Sequence, residues 1–355
     1  MGLEKEVVYF GNELGTPSFN LYDRMLSSDR VHGVYLPTLD VEMAFQAGGG
    51  TKFLGLKIGD RVLIASSARP LKMSLEEYKS FARRLSALNS EGKPMYLSMY
   101  FSKPSTIVLL LEKLSLELEE AVAGVEINLV PLYATPGEVE REKLVLKIAE
   151  AAREARSGLR VVARIPYCIA YCEGLARELL KSFEAVTISL HPLLEVGGVS
   201  YFLHSPLSSK IALEGLRLAA GEVLDEFRDS IEVSTDVLDY REAIDLSRRF
   251  SAVHLDLNLV LGDGAIAAVS EPSFDIRRPP EIPRPQEELE IRVSRDLCDK
   301  CDEYYPCRYL CPENAIEVGW DGYPKILADR CTACGLCLAA CPRGALELVR
   351  IIRPS

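Results

Sequence analysis

The feature that most constrains this chain is a duplicated run of cysteines near its C-terminus. Of ten cysteines in 355 residues, eight fall between Cys298 and Cys341. Residues 293–301 match 326–334 at an offset of 33, and residues 311–318 match 341–348 at an offset of 30. Both members of the second pair open on Cys-Pro. Cysteines clustered this way in a large chain point to metal. Zinc sites use four ligands in two pairs and leave the duplication unexplained. Disulfides suit small secreted domains, whereas this chain is large and opens without an apolar signal core.

In the second copy, Cys331, Cys334 and Cys337 are followed by Cys341-Pro342. This run resembles the bacterial ferredoxins, in which three closely spaced thiolates hold one cube and the fourth crosses to the other. The resemblance implies two [4Fe-4S] clusters. One would take Cys298, Cys301, Cys307 and Cys341, and the other Cys331, Cys334, Cys337 and Cys311. The first copy departs from the pattern, with five residues between Cys301 and Cys307 where two are usual.

Upstream, short β-branched runs alternate with segments of helical period, which is how a parallel α/β fold reads in sequence. Strands are expected at 17–22, 31–37, 94–101, 124–131, 160–166, 185–192, 230–237 and 252–259. Helices are expected at 74–88, 105–121, 137–156, 173–183, 208–227 and 240–250, the third opened by a capping box over Thr135-Pro136-Gly137-Glu138. Eight strands with crossovers of this length favour a (β/α)8 barrel, an open doubly wound sheet being the alternative. Residues 61–66 read as a hairpin strand outside the barrel. Five prolines between Pro272 and Pro285 stiffen an extended spacer. The expected organisation is thus a barrel over 1–270, a linker over 271–289 and an α+β two-cluster domain over 290–355.

A formal net charge of −11 repels phosphate backbones and anionic membranes, so neither nucleic acid nor membrane is an expected partner. No apolar stretch approaches membrane-spanning length, and a cytoplasmic location is expected.

Residues 33–264 resemble the dihydroorotate and dihydropyrimidine dehydrogenases, FMN-dependent (β/α)8 barrels, some of which carry a C-terminal two-cluster ferredoxin domain. The resemblance rests on Gly124-Val125-Glu126-Ile127-Asn128-Leu129, on Val161-Val162-Ala163-Arg164-Ile165-Pro166, and on Gly197-Gly198 followed by Pro206 and a helix. It implies Asn128, Arg164, Gly197 and Gly198 beside FMN, with Asn128, Arg164 and Cys168 as catalytic candidates. It also implies a small heterocyclic substrate and a redox partner protein or electron carrier, the protein itself being an oligomer or part of a larger complex. Three departures stand out. Val130-Pro131-Leu132 occupies the place of the family's catalytic base, Arg164 that of a lysine, and Ser234-Thr235-Asp236-Val237 that of a glycine-rich phosphate turn. The alternative reading is a flavin-free scaffold carrying the clusters.

Active sites of such barrels lie where strands run into βα loops. That singles out Tyr100, Glu126, Asn128, Arg164, Cys168, Cys172, His191, His204 and Asp236. Cys168 and Cys172 are spaced to share one helix face, as a redox pair, metal ligands or an acid/base replacement, or else are two small buried residues under a loop. Glu126 and Asn128 should face the same side of their strand. His191 reads as a rim histidine satisfied by backbone, and His254 as interior to a strand. A buried Arg164 needs an anion from a cofactor, a substrate, Glu126 or Asp236.

Overall fold

The computed structural model describes residues 7–11, 19–42, 53–58, 61–68, 70–71, 73–133, 141–155, 157–170, 172–196, 199–237 and 240–255. Toward the C-terminus it describes 288–300, 305–309, 311, 313–331, 337–338, 341, 343 and 345–351. The proline-rich spacer, the box at 135–138, Gly197, Gly198, Cys301 and Cys334 lie outside the described residues.

The upstream region is a closed barrel of eight parallel strands. In spatial order these are β2 (Gly33–Tyr35), β1 (Val8–Phe10), β13 (Ala252–Leu255), β12 (Ile231–Ser234), β9 (Ala185–Ser189), β8 (Arg160–Pro166), β7 (Gly124–Asn128) and β6 (Met95–Tyr100). Pairing of β2 with β6 closes the ring, and β3 (Leu39–Asp40) pairs further along the same β6. Strand parity sorts the residues. Val125, Ile127, Ala163, Ile165, Val186 and Ile188 point outward into the main apolar cluster under the helices, while alternate residues line the interior.

The first strand is a correction. Residues 19–22 of the strand expected at 17–22 instead open helix α1 (Phe19–Leu26), and the chain enters the barrel earlier, at Val8–Phe10. Leu21, Tyr22, Met25 and Leu26 are buried at helical spacing, which decides for helix. The other expected strands fall on β2, β6, β7, β8, β9, β12 and β13, the last described only through Leu255.

Expected helices appear as α2 (Leu75–Leu88), α3 (Ser105–Leu118), α5 (Arg141–Glu154), α7 (Glu173–Ser182), α8 (Pro206–Glu226) and α9 (Tyr240–Ser247), with one-turn α4 (Val130–Tyr133) and α6 (Tyr167–Ala170) between. Ser74 caps α2 through a full capping box with Glu77. None of the described helices is long and apolar enough to cross a membrane.

The hairpin strand expected at 61–66 is β5 (Arg61–Ser67), part of a separate antiparallel sheet in the order β10 (Leu193–Val196), β11 (Val199–His204), β5, β4 (Phe53–Ile58). Gly197 and Gly198 therefore fall between the antiparallel partners β10 and β11, not at the end of a barrel strand.

The C-terminal unit pairs β14 (Glu288–Val293) with β17 (Leu346–Ile351), and β15 (Ile316–Val318) with β16 (Pro324–Ile326), both antiparallel. The repeat offsets relate β14 to β16 and β15 to β17, so each sheet joins one strand from each copy.

Candidate functional site

In the C-terminal unit Cys307, Cys337 and Cys341 are buried, and Cys298, Cys311 and Cys331 pack against the same small core. None of these six is in a disulfide. The two copies present Cys311 and Cys341 alike. The Ala315 amide donates to Cys311 Sγ at 3.2 Å, and the Ala345 amide to Cys341 Sγ at 3.2 Å. An amide directed at sulfur stabilises a thiolate, and such bonds tune iron-sulfur centres. Burial pushes the Cys311 thiol up, and neighbouring Cys331 adds to the shift. The amides directed at these sulfurs nevertheless fit thiolates that bind a 4Fe-4S centre.

The barrel interior is polar to an unusual degree for a fold normally filled by branched aliphatics. Its lowest layer holds Tyr9, Tyr35 and Tyr96, with Val162, Ala185 and Ala252. Gly33 and Gly124 make room for those rings, since a Cβ there would lie 2.8 Å from Tyr9 and from Tyr96 respectively. Above them Glu232 accepts from Tyr35 Oη at 3.2 Å, Thr187 Oγ1 at 3.1 Å and Arg160 Nη2 at 3.1 Å. Arg164, with no exposed surface, donates Nε to Glu126 Oε2 at 2.9 Å, and Nη2 lies 3.1 Å from His254 Nδ1. A guanidinium only donates, so His254 Nδ1 accepts and Nε2 carries the proton toward Glu232 Oε2, 2.8 Å away. Ser98 completes Glu126 at 2.7 Å. Two carboxylates and two guanidiniums compensate each other in this layer.

The anion that Arg164 requires is therefore Glu126. Asn128 faces the same side as Glu126, but its amide donates to Thr38 Oγ1 at 2.8 Å and its Oδ1 accepts the Val130 amide at 3.0 Å, opening α4. Asp236, at the place of the phosphate turn, is a buried anion. The described residues consequently do not fit FMN: the expected cation is sealed in an ion pair and the expected phosphate cradle is negative.

Cys168 and Cys172 do not share a helix face, because Cys168 lies in α6 and Cys172 at the N-cap position of α7. Nor are they buried: both are exposed and line a cavity of about 520 Å³ with Tyr133, Arg141, Lys143 and Leu175. Desolvation around the sulfur nevertheless pushes the Cys168 thiol up, which does not favour the reactive thiolate. Arg164, Asn128 and Cys168 are thus not gathered around one open cavity.

At the carboxyl end of the strands, His191 Nε2 lies 3.3 Å from Asp236 Oδ2, and His204 Nδ1 lies 3.4 Å from Asp236 Oδ1. His191 and Asp236 meet because Ser189 and Ser234 are register partners and each stands two residues before one of them. Three residues read singly in the sequence come together here. The strand pairing that aligns them is the signal that was missing.

Residues 324–347 match the family described as 4Fe-4S binding domain. The chain is 45% identical over 49 residues to one subunit of the Na(+)-translocating ferredoxin:NAD(+) oxidoreductase complex of Acetobacterium woodii, a match covering 14% of this chain and 15% of that one. It is 38% identical over 58 residues to the electron transport protein HydN of Escherichia coli, covering 16% and 31%. With one chain of the polysulfide reductase of Wolinella succinogenes it shares 31% identity over 108 residues, covering 27% and 54%. The chain spans about half or less of each relative's length. Among solved structures, oxaloacetate acetylhydrolase matches with a TM-score of 0.39 at 13% identity over 71% of this chain and 76% of that one. For 2,3-dimethylmalate lyase the TM-score is 0.40 at 12% identity over 73% and 78%. Likeness of that degree carries no argument about this barrel's chemistry. The C-terminal unit is a ferredoxin-type domain of the 4Fe-4S binding kind.

Proposed function

We propose that this chain is an iron-sulfur electron-transfer component that exchanges electrons with a carrier or partner protein through two [4Fe-4S] clusters. Cys298, Cys301, Cys307 and Cys341 hold one cube, and Cys331, Cys334, Cys337 and Cys311 the other. The observation that carries this reading is the matched pair of amide-to-sulfur bonds at Cys311 and Cys341, which gives the two copies equivalent crossing ligands. Components of redox complexes among the relatives support a place in a larger assembly.

Anaerobically purified protein should contain about eight iron and eight sulfide per chain, two cubes of four each. Cys311→Ser and Cys341→Ser should each leave about four. A wild-type count of about four would reduce the reading to one cube, and zinc in place of iron would end it.

The flavin-free version is favoured over a dihydroorotate-dehydrogenase-type barrel acting on a heterocycle, because Arg164 is already neutralised by Glu126. Acid release from the same sample should yield no flavin. A stoichiometric flavin signal would return the dehydrogenase reading to first place.

A further inference from the structure

We propose that His191, His204 and Asp236 form a mononuclear site for a divalent first-row transition ion at the mouth of the barrel. The ligands are independent of the cysteines that carry the proposed electron-transfer role.

The case begins with a contrast between two buried carboxylates. Glu232, 1% exposed, is completed by Tyr35, Thr187, Arg160 and His254 at 2.8–3.2 Å. Among the described residues Asp236, 2% exposed, has only the two imidazoles near its carboxylate oxygens, at 3.3 and 3.4 Å, and its Oδ2 accepts no hydrogen bond there. Burying a carboxylate so sparsely partnered is costly. Charge-assisted hydrogen bonds between nitrogen and carboxylate are shorter, about 2.7–2.9 Å. The observed separations are longer, and they place one imidazole nitrogen beside each carboxylate oxygen, an arrangement open to a metal held between the carboxylate and the two rings. All three candidate donor atoms lie within 4.8 Å of one another, and all three residues are buried.

The surroundings are those of an oriented ligand. His204 Nε2 lies 2.7 Å from Ser66 Oγ. With the Nε2 proton donated there, the Nδ1 lone pair faces Asp236, as when a ligating histidine is fixed through its other nitrogen. Ser66 and His204 sit on the paired strands β5 and β11, so the antiparallel sheet supplies both a ligand and the group that orients it. The His191 ring packs against His204, with centroids 4.9 Å apart, and meets the edge of Phe202 at 6.2 Å. Two imidazoles and one carboxylate suit zinc or ferrous iron and leave coordination positions for water or an anionic ligand.

The test uses the full chain with its clusters intact, stripped of loosely held metal and equilibrated anaerobically with Zn²⁺, with zinc, iron and sulfide counted on each sample. The wild type should bind one zinc per chain at saturation without loss of iron. Asp236→Asn and His191→Gln should each weaken binding by about 100-fold or more, and Ser66→Ala by about tenfold, with iron and sulfide unchanged. If Asp236→Asn fails to fold, His191→Gln and Ser66→Ala still decide the matter. Zinc binding unaltered in those variants, or no saturable zinc in the wild type, would overturn the site.

Discussion

The C-terminal unit and the barrel hold themselves together by different means. Among the described residues the C-terminal core has eight buried members, and three of them are Cys307, Cys337 and Cys341, which we propose as cluster ligands. In the barrel an apolar shell runs from Val8 to Leu255 outside the strands, and a charge-balanced polar layer fills the space inside. A unit whose interior consists substantially of metal ligands depends on the metal for its fold, whereas a large shell of buried side chains sustains itself. The two regions should therefore fail under different insults.

The largest effect follows directly. When the clusters are removed by chelator and oxidant, β14 to β17 should lose hydrogen-exchange protection entirely while β6 to β9 keep theirs. Protection persisting through residues 288–351 in cluster-free protein would break the comparison, because the small core would then suffice alone.

The next effect probes the barrel. Arg164→Met leaves Glu126 without the counter-charge of Arg164 in a buried interior, and breaking a buried pair from one side costs about 3–5 kcal/mol. Denaturant unfolding followed on the barrel should show that loss while the iron count stays fixed. The double variant Arg164→Met/Glu126→Leu should recover much of it, since the carboxylate then goes together with its counter-charge. A loss in the single variant below about 1 kcal/mol would mean that water reaches Glu126, and the contrast with a self-sustaining barrel would weaken.

The same contrast explains what can be read from the sequence. The cysteines of a 4Fe-4S binding domain lie close together in the chain, so spacing alone picks out Cys331, Cys334, Cys337 and Cys341 as candidate ligands. The strand and helix alternation is legible because most barrel strands turn Val or Ile outward, β6 using Met and Leu instead. Strand β1 escapes because only three residues pair, and α1 reads as strand because its burial follows helical period under strand-like residues. The polar interior is hidden for a topological reason: Tyr35 and Glu232 are 197 residues apart, and Arg164 and His254 are 90 apart. Its trace in the sequence is the single polar residue set among apolar neighbours, as at Arg164, Thr187, Glu232 and His254. His191 and Asp236 can be joined only once β9 and β12 are known to pair.

The smallest predicted effect concerns acid. Burial would raise the Glu232 carboxyl, but His254, Arg160 and Thr187 outweigh it and bring it from 4.5 down to about 2. A carboxyl whose folded value lies below its unfolded one binds more protons when unfolded. Its stabilisation is therefore complete above about pH 4.5 and is lost as the pH falls toward 2. A shift of that size corresponds to roughly 3 kcal/mol at most. Glu232→Gln should accordingly flatten the barrel's stability curve between those pH values, apart from any uniform offset from the lost ion pair with Arg160. Cluster loss in acid follows thiolate protonation and should keep its own midpoint in this variant. If barrel unfolding and cluster release instead moved together, the two regions would be coupled, and the carboxylate would report on the whole chain rather than on the barrel alone.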